Sequence, residues 1–249
     1  MRLQLEQFPV HSEIAQLKSL ISKAFKRNEE SDLIVFPELF YAGFNFENKA
    51  QTVESNKLLI RYIKKQCVDN KKAFAGTLLA STPSGFVNRL YYFDKKGNSR
   101  ARYDKIHLIS GFKEPQNLKP GKSTCLLAVS EFQIGFTTCY DLRFPELFRR
   151  LLRKGATLFI VCAQWPEIRK EHMITLAKAR AIENQSYLAL CNASANGMAG
   201  HSMVIDPSGN ILSRLKKPAG TLFENISIKP LLKYRSTFPA VNEYLNDPG

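Results

Sequence analysis

Residues 136–147 read FTTCYDLRFPEL. The run FQIGFTT leads in from Phe132 and reads as a strand. Pro145 opens an amphipathic helix at a position where its missing N–H costs no hydrogen bond. Leu147, Phe148, Leu151 and Leu152 form the inward face of that helix, and Gly155 stops it. Cys139 therefore stands on a strand-to-helix turn. A thiol in that place is expected to be partly exposed, close to open backbone N–H groups, and able to be held as a thiolate.

Elements of the same kind recur on both sides of this turn. Residues 1–9 read as a strand, and Ile14, Leu17, Ile21, Ala24 and Phe25 repeat at helical spacing within 12–28. LIVF at 33–36 is a short continuous apolar run, the mark of a strand buried on both faces. A helix is expected over 52–68, a strand over 73–80, and a hairpin around KKGN at 95–98. TCLLAV pairs with FQIGFTT; TLFIVCAQ and YLALCNAS are strands around a helix at 167–184. HSMVID and ILSRL flank the turn PSGN, and LFENISI ends the series. Strands and helices alternating early and late, with hairpins between them, predict an α/β fold of mixed sheets covered by helices, and one domain over 1–249.

Composition narrows the class. Hydrophobic residues make up 44% of 249 and aromatics 11%, enough for a substantial core. No run nears the roughly 18 apolar residues of a membrane span. MRLQLEQFPV reads into a strand and not into a signal-peptide core, so the cytoplasm is the expected compartment. Five cysteines (67, 125, 139, 162, 191) without a C-x-x-C pair, and four histidines without ligand spacing, argue against a disulfide framework and a zinc site. Cys125, Cys162 and Cys191 fall in apolar strand runs and read as inert core thiols. The formal charge of +14 raises nucleic-acid binding. Its bases, however, fall mostly on helix faces and turns (Arg149, Arg150, Arg153 and Lys154; Lys95, Lys96, Arg100 and Arg102), with no nucleic-acid motif beside them. A solvated basic surface is the simpler reading, and no nucleic-acid partner is expected.

Two further strand ends carry chemistry. VFPELFYAGF at 35–44 places Glu38 just past a buried strand, and RYDKIHL at 102–108 places Lys105 beyond the hairpin. Taken singly, Glu38 reads as a cap or ion-pair partner, Lys105 as one lysine among many, and Cys139 as a small buried hydrophobe. Taken together they are the parts of a covalent amide-cleaving site. The thiol attacks, a carboxylate beside it moves the proton, and an ammonium with a backbone N–H, that of Tyr140, holds the oxyanion. The serine elbow G-x-S-x-G is absent, and no histidine stands in a convincing strand-end context.

FPELF, YDKIHL and CYDLRFPEL, in that order, resemble the glutamate, lysine and cysteine signatures of the nitrilase superfamily of carbon–nitrogen hydrolases; the likeness runs to RSTFPAVN at 235–242. It implies a four-layer α-β-β-α sandwich with two mixed β-sheets, a homodimer with the C-terminal segment 230–249 (Tyr234, Phe238, Tyr244) at its interface, and neither metal nor organic cofactor. It also implies a second glutamate, Glu114 in GFKEPQNLKPG, holding the lysine. Glu146 is better read as a helix-dipole partner. Asp141 and Arg143 belong to the cysteine run, Asp141 as scaffold and Arg143 as scaffold or substrate contact. CAQWPEIRKEHMITLAKARAIENQSYLAL at 162–190 is most similar to the omega-amidase branch. That likeness implies a small, anionic dicarboxylic acid monoamide as substrate, such as 2-oxoglutaramate or succinamate, with Phe40, Phe44 and Trp165 as pocket residues. A nitrilase, an N-carbamoyl amino acid hydrolase and a non-catalytic interaction protein are the alternatives. The stretch 191–206, short between its strands and bearing His201, is expected to border the pocket, with His201 in a structural role.

Overall fold

The computed structural model describes residues 1–28, 30–216 and 218–246. Its first half runs β1 (Arg2–Gln7), α1 (Ile14–Phe25), β2 (Leu33–Val35), α2 (Lys49–Asn70), β3 (Ala73–Thr82), β4 (Gly85–Phe93) and β5 (Ser99–Asp104). After the short helix α3 (Glu114–Asn117) come β6 (Cys125–Val129), β7 (Phe132–Thr138), α4 (Pro145–Arg153), β8 (Leu158–Ala163), α5 (Lys170–Asn184) and β9 (Tyr187–Asn192). The chain closes with the two-residue strands β10 (Ser194–Ala195) and β11 (Met198–Ala199), then β12 (Met203–Ile205), β13 (Ile211–Arg214), β14 (Gly220–Asn225), α6 (Ile228–Thr237) and α7 (Ala240–Asn246).

Two six-stranded sheets result, ordered β14-β1-β2-β3-β4-β5 and β13-β12-β9-β8-β7-β6. Both are mixed: β1, β2 and β3 run parallel, as do β7, β8 and β9, and the flanking strands are antiparallel. Period-two alternation sorts their side chains into layers. Leu33 and Val35 of β2 face Leu158, Ile160 and Cys162 of β8 in a core between the sheets. Ile34 turns the other way, toward Leu17 and Ile21 of α1 and Leu59 and Ile63 of α2. Phe159 and Val161 likewise turn outward onto Leu147, Phe148 and Leu151 of α4 and Ala177 of α5. The order helix, sheet, sheet, helix is the sandwich that the family resemblance implies.

Element ends follow local chemistry. Pro145 is the first residue of α4, and Gly155, at φ +95°, turns the chain out of it while its N–H caps the Leu152 carbonyl at 2.7 Å. The helix read at 167–184 begins with a 3-10 turn, Glu167–Arg169, and becomes α-helical at Lys170. Cys162 and Cys191 are fully buried as read, but Cys125 is only half-buried at the edge of the inter-sheet core. In the C-terminal segment, Tyr244 lies under Arg149 of the same chain, 4.1 Å from guanidinium carbon to ring centre, and Phe238 is 58% exposed. The last residues of that segment, 247–249, lie outside the described residues. Among the described residues no helix is long and apolar enough to cross a membrane.

Parallel strands β2, β7 and β8 end on the same edge of the sandwich, and the loop after β5 reaches it too. That loop is pinned where it returns: the Gly121 N–H donates to the Lys105 carbonyl at 2.8 Å. A Cβ at Gly121 would run into the carbonyl of Asp104, which is backbone and cannot rotate away. Gly121→Ala should therefore lose about 1–3 kcal/mol of stability, read as an earlier urea midpoint. An unchanged midpoint would mean that the 119–122 loop yields without cost.

Candidate active site

Glu38 sits three residues beyond β2 and is wholly buried. Its backbone N–H donates to the Ala163 carbonyl at 3.3 Å, tying it to the end of β8 in the other sheet. Gln164 completes the clamp: its N–H donates to Glu38 Oε2 at 3.1 Å and its Nε2 to the Glu38 carbonyl at 2.8 Å. The chain then bends sharply, with Leu39 at φ +39° and its N–H held by Thr77 Oγ1 at 2.6 Å.

Lys105, one residue past β5, is also wholly buried, and its ammonium joins two carboxylates. Nζ donates to Glu38 Oε1 at 2.8 Å and to Glu114 Oε2 at 2.7 Å. Asn88 of β4 makes a second bridge, its Nδ2 donating to Glu38 Oε1 at 2.8 Å and to Glu114 Oε1 at 3.2 Å. Glu114 Oε2 also accepts from the Ile109 N–H at 2.9 Å, which fixes the loop between Lys105 and α3. The ring of Phe44 lies 5.8 Å from Nζ and stacks on Phe112 at 4.4 Å between ring centres.

Cys139 opens a 3-10 turn, Cys139–Arg143, directly after β7. Its backbone lies in the left-handed region, φ +47°, uncommon for a residue with a side chain and a recurrent feature of nucleophile turns. Asp141 holds the turn. Its Oδ2 accepts from the Thr138 N–H at 2.9 Å and the Tyr103 hydroxyl at 2.7 Å, and its Oδ1 accepts from the His107 N–H at 3.0 Å. The His107 ring also meets Oδ1 at 2.8 Å and stacks on Phe144 at 3.6 Å. One buried carboxylate thus joins the ends of β5 and β7, the strands that carry Lys105 and Cys139.

Burial sets the electrostatics. It pushes the Glu38 carboxyl upward against the pull of Lys105, and the neighbouring charge of Glu114 adds to the rise. Burial alone would lower Lys105, but Glu38, Cys139 and Glu114 more than offset it and hold the ammonium charged. Cys139 is only 3% exposed, and burial together with the Glu38 charge lifts its thiol well above the usual range. The partial exposure expected of Cys139 from the sequence is therefore corrected: the thiol is buried. Burial and the Glu38 charge thus favour the thiol over the thiolate, and Glu38 is the carboxylate it meets.

A cavity of about 360 Å³ opens beside the sulfur, lined by Leu108, Phe112, Tyr140, Arg143, Trp165 and Arg169 among others. The Arg143 guanidinium lies 5.0 Å from the Trp165 ring centre and 5.9 Å from that of Tyr140. The Trp165 indole N–H donates to the Arg169 carbonyl at 2.8 Å.

The Carbon-nitrogen hydrolase family profile matches residues 3–233. The chain belongs to the carbon–nitrogen hydrolase family. It is 32% identical over 247 residues to a 2-oxoglutaramate amidase of Paenarthrobacter nicotinovorans, covering 92% of this chain and 82% of that one. It is 34% identical over 215 residues to the omega-amidase YafV of Escherichia coli K12, covering 84% and 82%. Among solved structures it resembles XC1258 of Xanthomonas campestris, a CN-hydrolase superfamily protein with an arsenic adduct in its active site. The TM-score is 0.90 at 28% identity, over 98% of this chain and 96% of that one.

In this carbon–nitrogen hydrolase, Glu38, Lys105, Glu114 and Cys139 come together from four separate segments. Tyr140, Arg143 and Trp165 line the adjoining cavity, and Phe44 backs its Phe112 wall. Phe40 does not join them. The bend at Leu39 turns it into the helix-side core, edge-on to Phe36 at 5.3 Å between ring centres, with no exposed surface. His201 is not among the cavity-lining residues; the 191–206 stretch reaches the rim through Met198, which bridges to Pro166. Asn88 and Gln164 went unread in the sequence. A polar residue on the strand parity of core-facing Leu90 and Tyr92 is the signal that marks Asn88.

Asp141→Ala should remove four contacts at once and leave the Thr138 and His107 N–H groups without their acceptor. The expected loss is about 2–4 kcal/mol in urea unfolding. A loss under about 0.5 kcal/mol would mean that the 3-10 turn does not depend on Asp141.

Proposed function

We propose that this hydrolase cleaves the terminal amide of a small dicarboxylic acid monoamide, the omega-amidase reaction, through a thioester on Cys139. The observation that carries the reading is the buried thiol in contact with a carboxylate of raised proton affinity, beside a cavity bearing cations. Identities of 32% and 34% to a 2-oxoglutaramate amidase and an omega-amidase support the substrate class.

In this reading Glu38 takes the thiol proton as Sγ attacks the amide carbon. The carbonyl oxygen becomes an oxyanion, received by Lys105 Nζ and the Tyr140 N–H. Glu38 returns the proton to the nitrogen, the C–N bond breaks, and ammonia leaves a thioester. Glu38, ionised again, takes a proton from water as it attacks the thioester carbon; collapse releases the acid and restores the thiol. Glu114 keeps Lys105 charged and aimed. The substrate's free carboxylate pairs with Arg143, which the Tyr140 and Trp165 rings hold in place. Among the described residues no Asp or Glu lines the cavity, and Arg169 adds a second cation to its wall. The same reading carries a homodimer, supported by exposed Leu232 and Phe238 on and beside α6.

Ammonia release from succinamate and 2-oxoglutaramate should fall at least about 10⁴-fold in Cys139→Ala; retained turnover in that variant would refute thiol catalysis. Arg143→Ala should raise KM for succinamate about tenfold to a hundredfold while hardly changing a neutral amide such as butyramide. Equal effects on both would remove Arg143 from carboxylate recognition, and faster turnover of simple nitriles would move the enzyme to another branch.

The pH profile follows from the two shifts. The reactive form has Glu38 ionised and Cys139 protonated. The rate falls as pH drops through the Glu38 pKa, which burial lifts, so the acid limb of kcat/KM should lie above the ordinary glutamate value of 4.5. The alkaline limb should lie above the ordinary thiol value of 9.0. An acid limb at or below 4.5 would contradict the assignment of Glu38 as base.

A further inference from the structure

Asn88 has no exposed surface, and its two strong contacts are both carboxylates. With Lys105 it closes a four-membered ring of side chains: Glu38 and Glu114 are joined once through an ammonium and once through a neutral amide. The Lys105 N–H donates to the Asn88 carbonyl at 2.9 Å, so the two bridging residues are locked to one another across β4 and the end of β5. The orientation of the amide is set by its neighbours. Turned over, it would present oxygen to two carboxylates. As placed, its Oδ1 is buried with no hydrogen-bond partner. A buried acceptor left unpaired is unfavourable, and here it accompanies the only orientation that serves both acids.

We propose that Asn88 is a positioning residue for the hydrolysis, holding Glu38 and Glu114 in one geometry on Lys105 and setting the basicity of Glu38. The inference rests on the cysteine-hydrolase reading above. The chemical reason for an amide is its neutrality. A second cation at this point would stabilise the Glu38 carboxylate so far that it became a poor base. An apolar residue would leave two carboxylates sharing a single ammonium, and Glu38 would hold its proton to higher pH. The titratable groups facing Glu38 are Lys105, Glu114, Cys139 and, from β8, Cys162. None of them replaces the lost N–H donors.

The test compares wild type, Asn88→Ala and Asn88→Ser by two readouts across pH: kcat/KM for succinamate and the rate of Cys139 alkylation by iodoacetamide. Asn88→Ala should move the acid limb of kcat/KM upward by about one pH unit and lower kcat at neutral pH about tenfold or more, with KM changed little. Asn88→Ser retains one donor and should fall between the two. The acid limb of the alkylation profile, which needs no turnover, should move with that of kcat/KM. Profiles of both variants that superimpose on wild type after scaling would overturn the proposal and make Asn88 structural only. If wild type fails to hydrolyse succinamate but its alkylation limb still shifts in Asn88→Ala, the substrate reading fails and the Asn88 assignment stands.

Discussion

One ammonium held between two carboxylates, all three without exposed surface, is the constraint on which the rest of the molecule depends. Each buried ion costs several kcal/mol in lost hydration, and the attraction among them repays this only when every oxygen and N–H is well placed. Glu38, Lys105 and Glu114 belong to three different segments, so no local element can place them. The inter-sheet core does so. It brings the ends of β2, β5, β7 and β8 to one edge of the sandwich, and backbone bonds such as Glu38 to Ala163 tie the first sheet to the second there.

In the proposed mechanism the same constraint makes a buried cysteine reactive without ionising it at rest. An exposed thiolate would be open to oxidants and alkylating agents. Here burial raises the proton affinity of both Cys139 and Glu38, and in the proposed mechanism the proton passes between these neighbours. The left-handed turn at Cys139 directs the sulfur toward the carboxylate, and the Asp141 hydrogen bonds keep that turn from relaxing. Backbone strain at Cys139 is thus held by a side-chain network that also anchors the strand carrying Lys105.

Much of this was legible in the sequence, for physical reasons that differ by residue. Glu38, Lys105 and Cys139 each follow an apolar or alternating run, so their places at strand ends follow from periodicity; only their convergence needed the fold. Glu114 sits in a polar loop with no periodic signal, and the family likeness alone singled it out. Asn88 was hidden because β4 reads F-V-N-R-L, where adjacent Asn88 and Arg89 give no clean alternation to tell the core face from the solvent face. Its parity with Leu90 and Tyr92 shows that it points into the core. Phe40, which the family likeness implied for the pocket, lies outside it because the bend at Leu39 turns its ring into the helix-side core. The burial of Cys139 was misjudged because the turn was read from its own residues, whereas Gln164 and Trp165 of the neighbouring strand end enclose it.

The most direct test of the account is mass analysis of the enzyme quenched in acid during turnover of succinamate. The account calls for a succinyl group on the peptide containing Cys139, labile to hydroxylamine as a thioester is and absent from the Cys139→Ala protein. Steady turnover with no acyl group on that peptide, or the group carried by another residue, would contradict it.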